Sequence, residues 1–171
     1  LAEWAAGKLA SSDGRNRALQ RLEELFAKDP DEALKYALPL GGNAGRGIEQ
    51  GGSSLGRRVR IDFDLGDLGG GKPLSPWDVP GDVYQNLLAR YREAANREQR
   101  MGRHRRAAYI YAQLLGDFGQ AARALEDGGF HHEAAVLYRD KLSDKRKAAA
   151  CLEKAAAWEE ALEIYLGLED Y

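Results

Sequence analysis

The sequence predicts a mainly α fold, with short antiparallel helical hairpins stacked as an α-solenoid. Three observations carry this. From Arg103 to Tyr171 the chain nearly repeats itself every 27 residues: RRAAYIY (105–111), HEAAVLY (132–138) and EEALEIY (159–165) align without gaps. Ala107, Ala134 and Ala161 then share one column, Ile110, Leu137 and Ile164 a second, and Tyr111, Tyr138 and Tyr165 a third. Between these copies lies another helix type, since AARALE (121–126) matches AAACLE (148–153), while AANREQ (94–99) keeps the two alanines but not the leucine. Finally, Ala107, Ile110, Tyr111, Leu114 and Leu115 fall at i, i+3, i+4, i+7 and i+8, which places them on one helix face.

Taken in order, residues 1–40 read as N-terminal helices. Leu1, Trp4, Ala5 and Leu9 lie on one side of a first helix, and Ser11, Ser12, Asp13 and Gly14 are expected to form a turn. Ala18, Leu19, Leu22, Leu25 and Phe26 make a second stripe that stops before Asp29 and Pro30. Asp29 or Asp31 caps a third, shorter helix reaching toward Pro39.

Residues 41–81 form a Gly/Pro-rich connection, too long to be a structureless loop inside a compact domain, and so expected to pack on the helices. Val59, Ile61, Phe63 and Leu65 alternate with Arg58, Arg60, Asp62 and Asp64, the period of a strand over 57–65. Trp77 is the expected anchor of this segment, and Asp82 the cap of the next helix.

Residues 82–171 are the helical-repeat solenoid. Small residues in the paired-alanine columns let helix axes approach, while the neighbouring Tyr and Leu fill the space above and below. Gly102, Gly128 and Gly129 mark ends of one helix type, and Asp117 and Asp144 are candidate caps of the helices that follow the other.

This order of parts over residues 90–171 resembles the tetratricopeptide-like superfamily of helical repeats, although the unit of 27 residues is shorter than that family's roughly 34. ALKYALPL together with WDV and NREQRMGRHRRAAYIYAQLLGD is similar to bacterial helical-repeat proteins that accompany MoxR-type ATPases, von Willebrand A domains and β-propeller proteins. The resemblance implies a protein-interaction scaffold.

Chemistry-bearing motifs argue against an enzyme. GDLGGGKP (66–73) follows the strand-like piece and carries the glycines and Lys72 of a phosphate loop, but Pro73 stands where that loop needs a hydroxyl, and PLSPWDVP does not continue as a helix. GGNAGRG (41–47) lacks a preceding strand. His131 and His132 are adjacent and diverge on a helix, and Cys151, the single cysteine, allows neither an internal disulfide nor a cysteine metal cluster. No cofactor is expected. No run reaches the ~18 apolar residues of a membrane span. We expect a cytoplasmic protein, or the soluble cytoplasmic part of a membrane-anchored one, with a leader, anchor or further repeats outside residues 1–171.

Charge points to the surface that matters. The chain carries 25 Lys and Arg against 27 Asp and Glu, a net charge of −2, yet seven arginines face only Glu93 and Glu98 between Arg90 and Arg106. From Trp158 to Tyr171 there are Glu159, Glu160, Glu163, Glu169 and Asp170 with no Lys or Arg. Arg97, Arg100, Arg103, Arg105 and Arg106 are the candidate docking site for an acidic protein partner. Nucleic acid or phosphate is the alternative ligand, disfavoured because no aromatic platform is interleaved with the arginines and no basic face recurs, Arg105 and Arg106 giving way to His132 and Glu133 and then to Glu159 and Glu160. The function expected is that of a non-catalytic scaffold or adaptor module of a larger bacterial protein.

Overall fold

The computed structural model describes the backbone of residues 2–41, 46–48, 55–68 and 76–169, with side chains described over 13–41, 55–68 and 79–168. The protein is mainly α. Its helices are α1 (Ala2–Lys28), α2 (Pro30–Lys35), α3 (Gly81–Arg100), α4 (His104–Tyr109, continued by a π turn over Ile110–Leu114), α5 (Phe118–Asp127), α6 (His131–Asp140), α7 (Lys145–Lys154) and α8 (Trp158–Glu169).

The turn expected at Ser11 to Gly14 does not form, because α1 runs through it. Weak helix formers cost at most about 1 kcal/mol each in a helix interior, and no proline removes a backbone donor there. Pro30 does stop α1, and Asp29 caps α2 by accepting from the Asp31 and Glu32 amides at 3.1 and 3.0 Å. Asp82 is not the cap of α3: the helix starts one residue earlier, and Asp82 lies in its first turn. There its charge complements the helix dipole without a capping bond.

The connection is attached to the helices, but residues 57–65 are not a strand. Their amides bond to helix-end carbonyls instead of to a neighbouring strand: Arg58 to Lys35 at 2.7 Å and Phe63 to Arg105 at 3.1 Å. Phe63 is fully buried, whereas Val59 is 93% exposed, so the alternation does not mark a continuous apolar face. A short 3₁₀ turn follows over Leu65–Leu68. Among the described residues of the connection, strand pairing is confined to a three-residue antiparallel ladder of β1 (Arg46–Ile48) and β2 (Pro76–Asp78). The anchoring role expected of Trp77 concerns a side chain outside the described residues, and so does the loop Gly69 to Ser75.

The N-terminal helices share a core with α3. Leu19, Leu22 and Phe26 of α1, Leu34 of α2, Leu38, Phe63, and Leu87 and Tyr91 of α3 are all buried. Tyr91 packs its ring 5.5 Å from that of Phe26, and its hydroxyl both donates to the Leu38 carbonyl and accepts from the Leu38 amide at 2.9 Å. The Leu40 and Gly41 amides converge on the Leu114 carbonyl at 2.7 and 3.1 Å. A Cβ on Gly41 would lie 2.4 Å from the Gly116 amide nitrogen, so only glycine permits this approach.

From α3 onward each helix packs on the next. α4, α6 and α8 begin 27 residues apart, as do α5 and α7. The turns also match. Arg103, Phe130 and Ala157 amides reach back to the Glu98, Leu125 and Leu152 carbonyls at 2.9, 2.8 and 2.9 Å. Gly102, Gly129 and Ala156 hold φ of 73°, 80° and 58° at equivalent places. Asp117 and Asp144 cap α5 and α7, each accepting from the amide three residues on at 3.0 Å. The paired alanines Ala94/Ala95, Ala121/Ala122 and Ala148/Ala149 are buried, as are Ala107, Ile110, Tyr111, Ala134, Leu137, Tyr138 and Ala161, while Ile164 and Tyr165 are half-buried.

Three outcomes test this packing. Tyr138→Ala should destabilise by roughly 3–5 kcal/mol in urea unfolding, as large-to-small aromatic core changes do. Ala156→Gly, which relieves a left-handed residue, should stabilise by about 1 kcal/mol in the same measurement. Burial, then a hydrogen bond with Glu126, pushes the Cys151 thiol up to about 12. The native thiol should therefore resist alkylation at pH 8 and react only once urea unfolds the chain.

Candidate functional site

The arginine cluster spans one inter-helix turn. Arg97 and Arg100 lie in the last turn of α3, Arg103 immediately precedes α4, and Arg105 and Arg106 are in its first turn. What gathers the cluster is Glu98, the one charged side chain among the buried described residues. Arg103 donates to it twice, from Nε to Oε2 at 2.5 Å and from Nη2 to Oε1 at 2.9 Å, a bidentate fork. Arg97 Nη2 donates to Oε1 at 3.2 Å, and Arg106 Nε stands 3.3 Å from Oε2. Burial pushes the Glu98 carboxyl up, but the Arg103 hydrogen bonds, the Arg106 and Arg103 charges and the Arg97 bond more than reverse this, leaving it below its ordinary 4.5.

The same guanidiniums reach the N-terminal helices. Arg97 Nη2 lies 2.7 Å and Arg106 Nη2 3.5 Å from Asp31 Oδ1 on α2. Arg105 turns the other way, pairing with Glu133 of α6 at 3.0 Å and stacking 5.1 Å from the Phe130 ring centroid. Of the five arginines predicted as a docking site, four thus make intramolecular ion pairs, and Arg100 is exposed with no ion-pair partner among the described residues. Arg100 faces a groove of about 370 Å³ between the end of α1 and α3, which Arg90, Glu93 and Arg97 also line.

Glu98 occupies the column held by Leu125 and Leu152 in the later copies. The missing leucine of AANREQ was the visible signal. Its meaning depended on Asp31 and three arginines brought together only by folding. A second polar set sits between α5, α6 and α7: Tyr138 donates to Glu126 at 2.8 Å, and Lys154 pairs with Glu126 at 3.3 Å. Burial first, then that hydrogen bond, raises the Tyr138 phenol, so it stays protonated and serves as a donor. Among the described residues, no group of His, Cys, Asp and Glu is arranged to hold a metal ion, and no helix is long and apolar enough to cross a membrane.

Compared with protein-family models, with curated proteins and with solved structures, the chain matches none.

Glu98→Gln should cost about 3 kcal/mol of stability, the lower end for a broken buried pair because Arg103 is partly open to solvent. The folded carboxyl is below its unfolded value, so its contribution is full above about pH 4.5 and is lost as pH falls through the folded value. The difference in urea stability between wild type and Glu98→Gln should therefore shrink on acidification below pH 4.5.

Proposed function

We propose that the protein is a non-catalytic adaptor, a short α-solenoid of tetratricopeptide-like hairpins that binds other proteins through its surface. The observation that carries this reading is the reuse of one turn bond after α3, α5 and α7 and of one aspartate cap on α5 and α7, each 27 residues apart. Such stacking builds an extended surface from local contacts. The perturbed ionisable groups favour the same reading. Glu98, Glu126, Tyr138 and Cys151 are each engaged in packed pairs between helices, a structural use, while Tyr111 and Glu32 line two separate grooves and are not brought together. The kinship with bacterial helical-repeat proteins of MoxR-type systems belongs to this proposal and rests on the sequence runs that suggest it.

The arginine front is used mostly within the protein, and an acidic partner would meet what is left over. That is Arg100, exposed beside the groove, together with Arg90, which is exposed and held only by an open surface pair with Glu93 at 3.7 Å. With so many guanidiniums committed to carboxylates, little remains for phosphates, which favours protein over nucleic acid as the partner. Affinity capture from the native cell, followed by reconstitution with the purified partner, tests the reading. We expect a stoichiometric protein partner whose affinity falls about tenfold with Arg90→Glu and Arg100→Glu together, with a weaker salt dependence and an unchanged melting temperature. A partner bound equally by the double variant at every salt concentration removes the arginine dock. Turnover of a small molecule by the purified chain removes the adaptor reading.

A further inference from the structure

Unpaired positive charge is sorted by helix. From α3 to α8, the described arginines and lysines whose side chains make no ion pair, hydrogen bond or ring contact are Arg92, Arg100, Arg123, Lys145 and Arg146, all exposed and all on α3, α5 and α7. On the alternate helices the cations are held within the fold, Arg105 by Glu133, Arg106 by Asp31 and Glu98, and Arg139 by Asp140. α8 has no Lys or Arg and exposes Glu159, Glu160 and Glu163 together with Trp158, Leu162 and Leu166. α3, α5 and α7 stand side by side: Gln99 of α3 donates to Asp127 of α5 at 3.0 Å, and Lys154 of α7 pairs with Glu126 of α5 at 3.3 Å. In the shared 27-residue register Arg146 falls in the column of Arg92, Arg123 four positions on and Arg100 eight. These four therefore share one helix face about 80° wide, opposite the buried Leu87, Ala94 and Glu98 of α3. Arg123, in the middle of the row, has a described helix on either side.

We infer that the outer face of α3, α5 and α7 docks an acidic segment of a partner protein, which crosses the three helices from Arg100 and Arg92 past Arg123 to Arg146. This deepens the adaptor reading and rests on it. Charge selects the occupant. The connection cannot neutralise the row from within, since its stretches 42–54 and 69–78 hold only Glu49 and Asp78 as carboxylates. Glu93, Glu126, Asp127 and Glu153 lie on the same three helices and interrupt the positive face. Such a face fits carboxylates spaced along a protein segment better than the unbroken charge of a nucleic-acid backbone. The aromatic rings of these helices, Tyr84, Tyr91 and Phe118, are buried or half-buried and leave bases no platform to stack on. A second copy could offer Glu159, Glu160 and Glu163 of its α8, but these span about 6 Å of one helix, whereas the row extends about 20 Å across three. Neighbouring helix axes lie about 10 Å apart, which is the rise of about three residues of extended chain. Acidic residues at every third position would then meet one helix each.

The test uses the full chain and a labelled synthetic peptide with glutamate at every third position and glycine and serine between, alongside a version with glutamine for glutamate and an oligothymidylate of similar length. Binding is read by fluorescence anisotropy. We expect the glutamate peptide to bind, to weaken with added salt, and to weaken at least about tenfold with Arg92→Glu, Arg123→Glu and Arg146→Glu together, while the glutamine peptide does not bind. Arg17→Glu, Arg21→Glu and Lys28→Glu together change the net charge equally but lie on α1, and should weaken binding less than about threefold. All six residues are exposed and without ion pairs, so both triple variants should stay folded, which circular dichroism checks. Equal weakening by the two triple variants, no binding of the glutamate peptide, or tighter binding of the oligothymidylate at the same salt concentration overturns the inference. So does a doubling of mass in sedimentation that the Arg92, Arg123 and Arg146 reversals abolish, which would assign the row to α8 of a second copy. A native partner held equally by that variant sinks this site and leaves the adaptor reading standing, whereas turnover of a small molecule by a chain that binds the peptide as expected removes the adaptor reading alone.

Discussion

The structure depends most on one buried carboxylate. Glu98 lies where the later copies have Leu125 and Leu152, and its backbone carbonyl accepts the same turn bond as theirs. A leucine there packs against any apolar neighbour. A carboxylate is stable only among donors, and removing it from water costs several kcal/mol unless its oxygens are satisfied. Arg97 and Arg103 satisfy them by hydrogen bonds, Arg106 adds its charge 3.3 Å away, and Arg97 and Arg106 also hold Asp31. The network thereby ties the first hairpin to α2 through Asp31, beside the apolar core that α1 and α2 share with α3.

The two ends of the array use charge differently. At the front, arginines are drawn inward to Glu98, Asp31 and Glu133, so a strong local excess in the sequence becomes a modest free charge at the surface. At the rear, Glu159 and Glu163 remain exposed beside an apolar stripe. Counting charges along the chain gave both patches equal weight. Folding neutralises one and leaves the other, because ion pairs form with whatever the fold brings near, and Asp31 is far from Arg97 in sequence.

The repeat columns were legible because they depend on local spacing. A small residue beside a large one at helical period has one good packing solution, and Ala107, Tyr111, Ala134 and Tyr138 adopt it. Readings that depended on distant partners fared less well. The alternation at 57–65 has the period of a strand, but the groups awaiting its amides are carbonyls at Lys35 and Arg105. Ser11 to Gly14 has turn composition, but helix on both sides carries through it. The α8 stripe has the same apolar pattern as a buried face, and only the arrangement of neighbours shows that it is open.

The junction at Gly41 has a consequence for how the chain reaches this state. Within the array, each helix touches the next in sequence, so loops closed during folding are short. The contacts that seat the N-terminal part span far more chain: Leu38 to Tyr91 is 53 residues, and Leu40 meets Leu114 across the whole glycine-rich connection. Low contact order favours fast formation of the array, and the costlier closure follows when its docking surface already exists. By contact order, the N-terminal part is therefore expected to dock after the hairpins have formed.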